Sequence, residues 1–166
     1  MSSIKQRLAA LALWAALAPT AAFGLSTDQD QPILVEADSV EIDEASGVSV
    51  YQGQVDVKQG SIHITADKVT VYQKEKRTDR VLAVGTPVRF QQKTDKGKLV
   101  KGNARQVEYQ VSSDELTLSG DALLTQGQDR FSSDRIVYDR KNAQVKAGAS
   151  AQGSERVRIT INPQQQ

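Results

Sequence analysis

The sequence predicts an all-β fold assembled by restating one strand–turn–strand unit. Three observations carry this: apolar residues recur at every second position, one short phrase returns four times, and turn residues punctuate the chain at short intervals. Alternation signals strands because successive side chains on a strand point to opposite faces. Beyond the first 24 residues no window keeps a helical period.

Those first residues form a different element. Lys5 and Arg7 precede an apolar run from Leu8 to Ala18, and small residues follow at Ala22-Phe23-Gly24. A charged start, a short apolar run and a small-residue site are the marks of a cleavable secretory signal peptide. The run falls short of the roughly 20 apolar residues a membrane-spanning helix needs. The expected organisation is a signal peptide over 1–24 and one β domain over 25–166. Removing Lys5 and Arg7 turns 21 basic against 20 acidic residues into 19 against 20, so the formal net charge moves from +1 to −1.

In the remaining chain the alternating pairs run in order. They are Ile33 and Val35, Val40 and Ile42, Val55 and Val57, Ile62 and Ile64, and Val69 and Val71; then Val88 and Phe90, Leu116 and Leu118, Ile136 and Tyr138, and finally Val157, Ile159 and Ile161. The repeated phrase reads EADSVEI (36–42), TADKVTV (65–71), NARQVEY (103–109) and SDRIVY (133–138). After each, a glycine introduces a second alternation: GQVDV at Gly53, GTPVRF at Gly85, GDALL at Gly120 and GASA at Gly148. A glycine at such a place usually marks a bend or bulge rather than a ligand. Turns are expected at Ala45-Ser46-Gly47, Lys96-Gly97 and Gln126-Gly127, and the basic run KEKRTDR (74–80) is expected in another. A one-sided apolar stripe through so many short strands must close on itself or be stacked.

Composition narrows function mainly by exclusion. A near-zero net charge gives no reason to expect a polyanion held by bulk charge. With no cysteine, neither a disulfide framework nor a thiolate metal site can form. His63, the only histidine, alternates with Ile62 and Ile64 and so points outward as a solvated strand residue. No catalytic motif, metal site or cofactor signature is present, and the acidic residues Asp28, Asp30, Asp38, Asp43 and Glu44 read as a solvated face. Aromatics make up only 5% of the chain, and Trp14 lies in the leader. Slender inward side chains fit either a thin, tightly packed sandwich or a slot for slender apolar guests.

Both chain ends carry strand-like segments, PILVEA with Ile33, Leu34 and Val35, and RVRITIN with Val157, Ile159 and Ile161. An open strand edge templates another strand. Joining one copy's C-terminal edge to the next copy's N-terminal edge is a head-to-tail contact that does not close.

The stretches DQPILVEAD (30–38), GQVDVKQGSIHITADKV (53–69), GTPVRF (85–90), DKGKLVKGNARQVEY (95–109) and LTLSGDALL (116–124) together resemble the OstA-like family of periplasmic lipopolysaccharide-transport bridge proteins. The resemblance implies an open β-jellyroll, a β-taco of antiparallel strand–turn–strand units, with an apolar groove that takes lipopolysaccharide acyl chains. It implies no enzymatic activity and no cofactor. The expected groove residues are Ile33, Val35, Ile42, Val55, Val57, Ile64, Val71, Phe90, Leu118 and Leu124. The implied partners are lipopolysaccharide, an inner-membrane-tethered LptC-like component at the N-terminal edge, an LptD-like outer-membrane translocon at the C-terminal edge, and further copies of the chain. Gln73 stands where the family often has a basic residue. A secreted carbohydrate-active enzyme on a β scaffold and a ligand-free structural adaptor are the competing readings.

Overall fold

The computed structural model describes residue 28 and residues 30–94 and 96–162; the signal-peptide expectation falls outside them. The described residues form one antiparallel sheet of ten strands: β1 (Leu34–Glu36), β2 (Ser39–Asp43), β3 (Val48–Gln59), β4 (Ile62–Lys74), β5 (Arg77–Lys93), β6 (Leu99–Gln110), β7 (Glu115–Gln126), β8 (Asp129–Asp139), β9 (Gln144–Ala147) and β10 (Arg158–Thr160). Strands β3 to β8 pair in chain order as a meander, and the sheet stays open rather than closing into a barrel.

Each long strand contains a break in register. The breaks fall between Gln52 and Val55, Thr65 and Lys68, Val84 and Val88, Asn103 and Gln106, and Ser119 and Ala122. They line up from strand to strand and form a crease. Bulges bend strands and increase their local twist, so an aligned row of them folds one sheet into two leaves. The repeat in the sequence is therefore a repeat of half-strands. The phrase and the glycine-led segment that follows it lie on opposite sides of this crease.

Three of the four marked glycines act there. Gly53 and Gly120 adopt φ of 83° and 79°, each followed by a residue that also has positive φ, Gln54 and Asp121. Such backbone is costly for any residue with a Cβ. Gly85 sits in the β5 break beside a cis Thr86-Pro87 bond. These glycines bend strands from within instead of starting them. The fourth differs from expectation: GASA at Gly148–Ala151 is a 3₁₀ turn, not a strand.

Both sheet edges repeat the bend in broken form. On one side β1 pairs the second half of β3 while β2 pairs the first half. On the other, β9 pairs the second half of β8 and β10 the first half, with the 3₁₀ turn crossing between them. Both edge segments are anchored by carboxylates. Asp28, almost fully buried, accepts hydrogen bonds from the Ser61 amide at 2.7 Å and the Ser61 hydroxyl at 2.6 Å. Asp134 accepts from the Ser154 amide at 2.6 Å, the Ser154 hydroxyl at 3.0 Å and the Ser133 hydroxyl at 3.0 Å. The bond from the Ser154 amide is the largest cause holding the Asp134 carboxyl at about 2.

One continuous core lies between the leaves. It draws Val55, Val88, Phe90, Val100 and Leu124 from one leaf and Val69, Val107, Leu116, Leu118, Ile136 and Tyr138 from the other. Leu118 shows how the leaves meet. A Cβ built on Gly102, in the opposite leaf, would stand 2.7 Å from Leu118 Cδ2, so glycine is what lets that leucine lie against the facing backbone. Fully burying a side chain of this size stabilises by roughly 1.5–3 kcal/mol.

Candidate functional site: the apolar interior and its two ends

Strand pairing places directly opposed residues on the same face of a sheet. One inward rung crosses the whole molecule through Val35, Val57, Ile64, Phe90, Gly102, Leu124, Phe131 and Ile159. Five of the ten expected groove residues lie on it. In the facing leaf a second rung runs through Val40, Tyr51, Val69, Ala83, Val107, Leu118, Ile136 and Ala147. A third holds Ile42, Ser49, Val71, Val81, Tyr109, Leu116, Tyr138 and Val145. Val55 pairs with Ala66 beside the crease. The structure thus brings together nine expected groove residues on inward positions, while Ile33 lies just before β1.

Exposure varies along these rungs. In mid-sheet, Leu118 and Leu124 are 0% exposed and Phe90 is 5% exposed, so the interior is packed shut by its own side chains. At the ends the same rungs emerge into solvent. Ile42 is 60% exposed at the N-terminal edge and Ile159 53% at the C-terminal edge. Ile33, Leu34, Val40 and Ile161 are exposed with them. The apolar stripe is therefore continuous from one open edge, through a closed middle, to the other. Of the edge residues expected from the sequence, Leu34 and Val35 lie in β1 and Ile159 in β10. Val157 precedes β10 and packs against Gly148, and Ile161 follows the strand.

A polar cluster caps one long side of the interior. Tyr109, on the third inward rung, donates its hydroxyl to Asp114 Oδ1 at 2.9 Å in the β6–β7 turn. Arg140 lies 3.2 Å from the same carboxylate and stacks 5.1 Å from the Tyr109 ring centre. Burial pushes the Tyr109 phenol up to about 12. On the outer face, His63 points away from the core as expected but is not merely solvated. Its Nε2 lies 2.8 Å from Asp56 Oδ2, and this bond holds the Asp56 carboxyl below its ordinary value, with Lys58 adding to the effect at 3.0 Å.

The alternation of the sequence identified the rungs without identifying their partners. Val100, Val107 and Ile136 are buried in the same core as the expected groove residues, and the same period-two signal marks them. The Tyr109–Asp114–Arg140 cap and the Asp28 and Asp134 anchors were not legible, because each joins residues that only the folded chain brings together.

These features define an open jellyroll: a bent antiparallel sheet with an apolar interior running between two unpaired edges. Residues 34–144 match the family described as LptA/(LptD N-terminal domain) LPS transport protein. The chain is 37% identical over 152 residues to the lipopolysaccharide export system protein LptA of Haemophilus influenzae, covering 90% of this chain and 87% of that protein. It is 36% identical over 159 residues to the lipopolysaccharide export system protein LptH of Pseudomonas aeruginosa, covering 91% and 90%. The crystal structure of that LptH, described as the LptA homologous periplasmic component of the conserved lipopolysaccharide transport device, superposes with a TM-score of 0.73 at 34% identity, covering 82% of this chain and 99% of that one. The chain belongs to the LptA family of lipopolysaccharide transport proteins.

Proposed function

We propose that this protein is a periplasmic carrier that shelters the acyl chains of lipopolysaccharide between its two leaves and passes them from the inner to the outer membrane. The single observation that supports this reading is the set of apolar inward rungs that cross the sheet and leave Val40 and Ile42 exposed at one edge and Ile159 at the other. A long acyl chain in water costs about 0.8 kcal/mol per methylene, so a transport path needs uninterrupted apolar cover. Copies joined through β9–β10 of one and β1–β2 of the next would supply it. On this reading an LptC-like component docks at the N-terminal edge and an LptD-like translocon at the C-terminal edge, each extending the sheet by strand addition. The leader over 1–24 delivers the chain to the periplasm and is removed.

Site-specific photocrosslinking tests the interior path. Photoreactive side chains at Leu118 and Leu124 are expected to capture lipopolysaccharide, while those at the outward positions Thr117 and Val137 are not. Equal capture from both faces in folded protein would remove the interior from consideration. Intact-mass measurement of the periplasmic protein is expected to show a start within a few residues of Ala22–Gly24.

A further inference from the structure

The formal net charge of the chain is only +1, but the topology sorts charge between the two leaves. On the outer face of the leaf beyond the crease, the paired rungs carry Lys58, Arg89, Lys101, Arg130 and Arg158 against Glu36 and Asp56. Both acids lie on β1 and β3, and Asp56 is already engaged by Lys58 and His63. Over β5 and β6, Arg89 shares a shallow hollow with Asp56 and Asp67, yet among the described residues neither Arg89 nor Lys101 makes an ion pair.

A depression of about 500 Å³ lies over this region. Its lining includes two outward rungs, one through His63, Gln91 and Lys101 and one through Thr65, Arg89 and Asn103, each continuing onto β7. The volume falls within the roughly 300–1,000 Å³ of small-molecule sites. Amide and hydroxyl groups stand on neighbouring strands about 4.8 Å apart, and Leu123 contributes a half-buried apolar patch at one side.

From this combination we infer that the outer face of the β4–β7 half-strands is a binding site for an anionic saccharide, a sugar bearing a phosphate or carboxylate. Arg89 and Lys101 hold the anion, with Arg89 able to bond two oxygens at once. Thr65, Gln91 and Asn103 meet hydroxyls, and Leu123 lies under a ring face. A nucleotide fits less well, since base recognition relies on aromatic stacking; of the two rings in the lining, Phe90 has its side chain on the inward rung and the His63 imidazole is held by Asp56. The site is separate from the interior. Its occupancy does not depend on acyl chains entering between the leaves.

The test is ¹⁵N NMR titration of the full mature chain with glucose 6-phosphate, and in parallel with glucose and with inorganic phosphate. Saturable shifts are expected from glucose 6-phosphate, clustered at residues 63–65, 89–91, 101–103 and 123–125, with much smaller shifts from glucose or phosphate at equal concentration. Arg89→Ala and Lys101→Ala, both at exposed positions, should each weaken binding about tenfold while leaving the rest of the spectrum in place. Raising the salt should weaken it further. A parallel titration with the phosphorylated saccharide freed from lipopolysaccharide by removing its acyl chains distinguishes the source. Clustered shifts from that saccharide identify the headgroup of the carried lipid, and shifts from glucose 6-phosphate alone identify a free sugar phosphate. Absence of clustered shifts from either, shifts unchanged by both variants, or equal shifts from inorganic phosphate would overturn the assignment, and none of these outcomes touches the photocrosslinking result expected at Leu118 and Leu124.

Discussion

A cavity cut into the middle of the interior should weaken the empty protein and strengthen its hold on lipid. Leu118 is the best place to cut, because it has no solvent exposure and lies across the interior against Gly102 of the opposite leaf. Leu118→Ala removes three carbons, a transfer loss of about 2.4 kcal/mol at 0.8 per methylene. Incomplete collapse around the vacated space raises the total to about 3 kcal/mol or somewhat more. Urea denaturation of the lipid-free protein should report that loss, while Thr117→Ala, one residue away on the outer face, should stay within about 0.5 kcal/mol.

The second half of the experiment adds a soluble, short-chain lipopolysaccharide analogue. In the wild-type protein an acyl chain entering here must displace Leu118 from its contacts. In the variant the space is already open, so part of the lost packing is restored by the ligand itself. Recovering about 1.4 kcal/mol corresponds to tenfold tighter binding, visible as a larger ligand-induced stabilisation. Ile136→Val, a smaller excision on the same rung, should move both quantities the same way by a lesser amount. Folded Leu118→Ala that binds the analogue no better than wild type, or worse, would refute the idea that acyl chains occupy this part of the interior.

Three other outcomes are expected. Gly102→Ala should destabilise by about 1–3 kcal/mol through overpacking against Leu118, and Leu118→Ala should relieve most of that cost in the double variant, measured by a denaturation cycle. Ile161→Asp, at a position 72% exposed, should leave the fold intact and reduce concentration-dependent head-to-tail association; light scattering over a dilution series checks it, and a fixed mass at all concentrations in the wild type would remove self-association. For Asp134 the folded value of about 2 lies below the ordinary 3.8, so its contribution to stability is fully present above about pH 4 and is lost as pH falls through about 2. Asp134→Asn should imitate that loss at neutral pH, seen as faster amide exchange at Gly153 and Ser154.

How far the fold could be read in advance depended on the range of the signal. Alternation is local, and it identified inward residues of β3, β4, β5, β7 and β8 because each of those strands buries a single face, while Val100, Ala104 and Val107 of β6 were not singled out. The four-fold phrase correctly announced a repeated unit. The reading of Gly53, Gly85 and Gly120 as bends or bulges holds, but their place inside continuous strands rather than at the start of new ones does not show in the local chain. GASA at Gly148 read as another copy, but positive φ at Gly148 and the close approach of Val157 turn it into a 3₁₀ crossing. Charge was the least legible feature. Summed along the chain it cancels, and only the pairing of β4 with β5 and β5 with β6 collects Arg89 and Lys101 on one outer face while leaving Asp56 to His63 and Lys58.

The closed middle of the interior bears directly on how a carrier of this kind can release what it holds. If acyl chains enter between the leaves, they replace contacts among Phe90, Leu118, Leu124 and Ile136 with contacts of the same apolar character. The apolar surface of the protein is dry in both states, so little of the lipid's transfer free energy is spent on dehydrating the groove. What opposes entry is the loss of close packing between leaves, and dispersion contacts of that kind are individually small and collectively substantial. Affinity is therefore set by the difference between two well-packed states rather than by the full cost of exposing lipid to water. That difference can be modest even though water is excluded throughout. The exposed apolar residues at both edges, Ile42 on one side and Ile159 on the other, offer entry and exit points where no packed leaf must first be parted. A neighbouring sheet edge that covers them would extend the inward rungs on which each lies, so a chain sliding from one copy to the next would meet similar surroundings at each step and require only a small bias to keep moving.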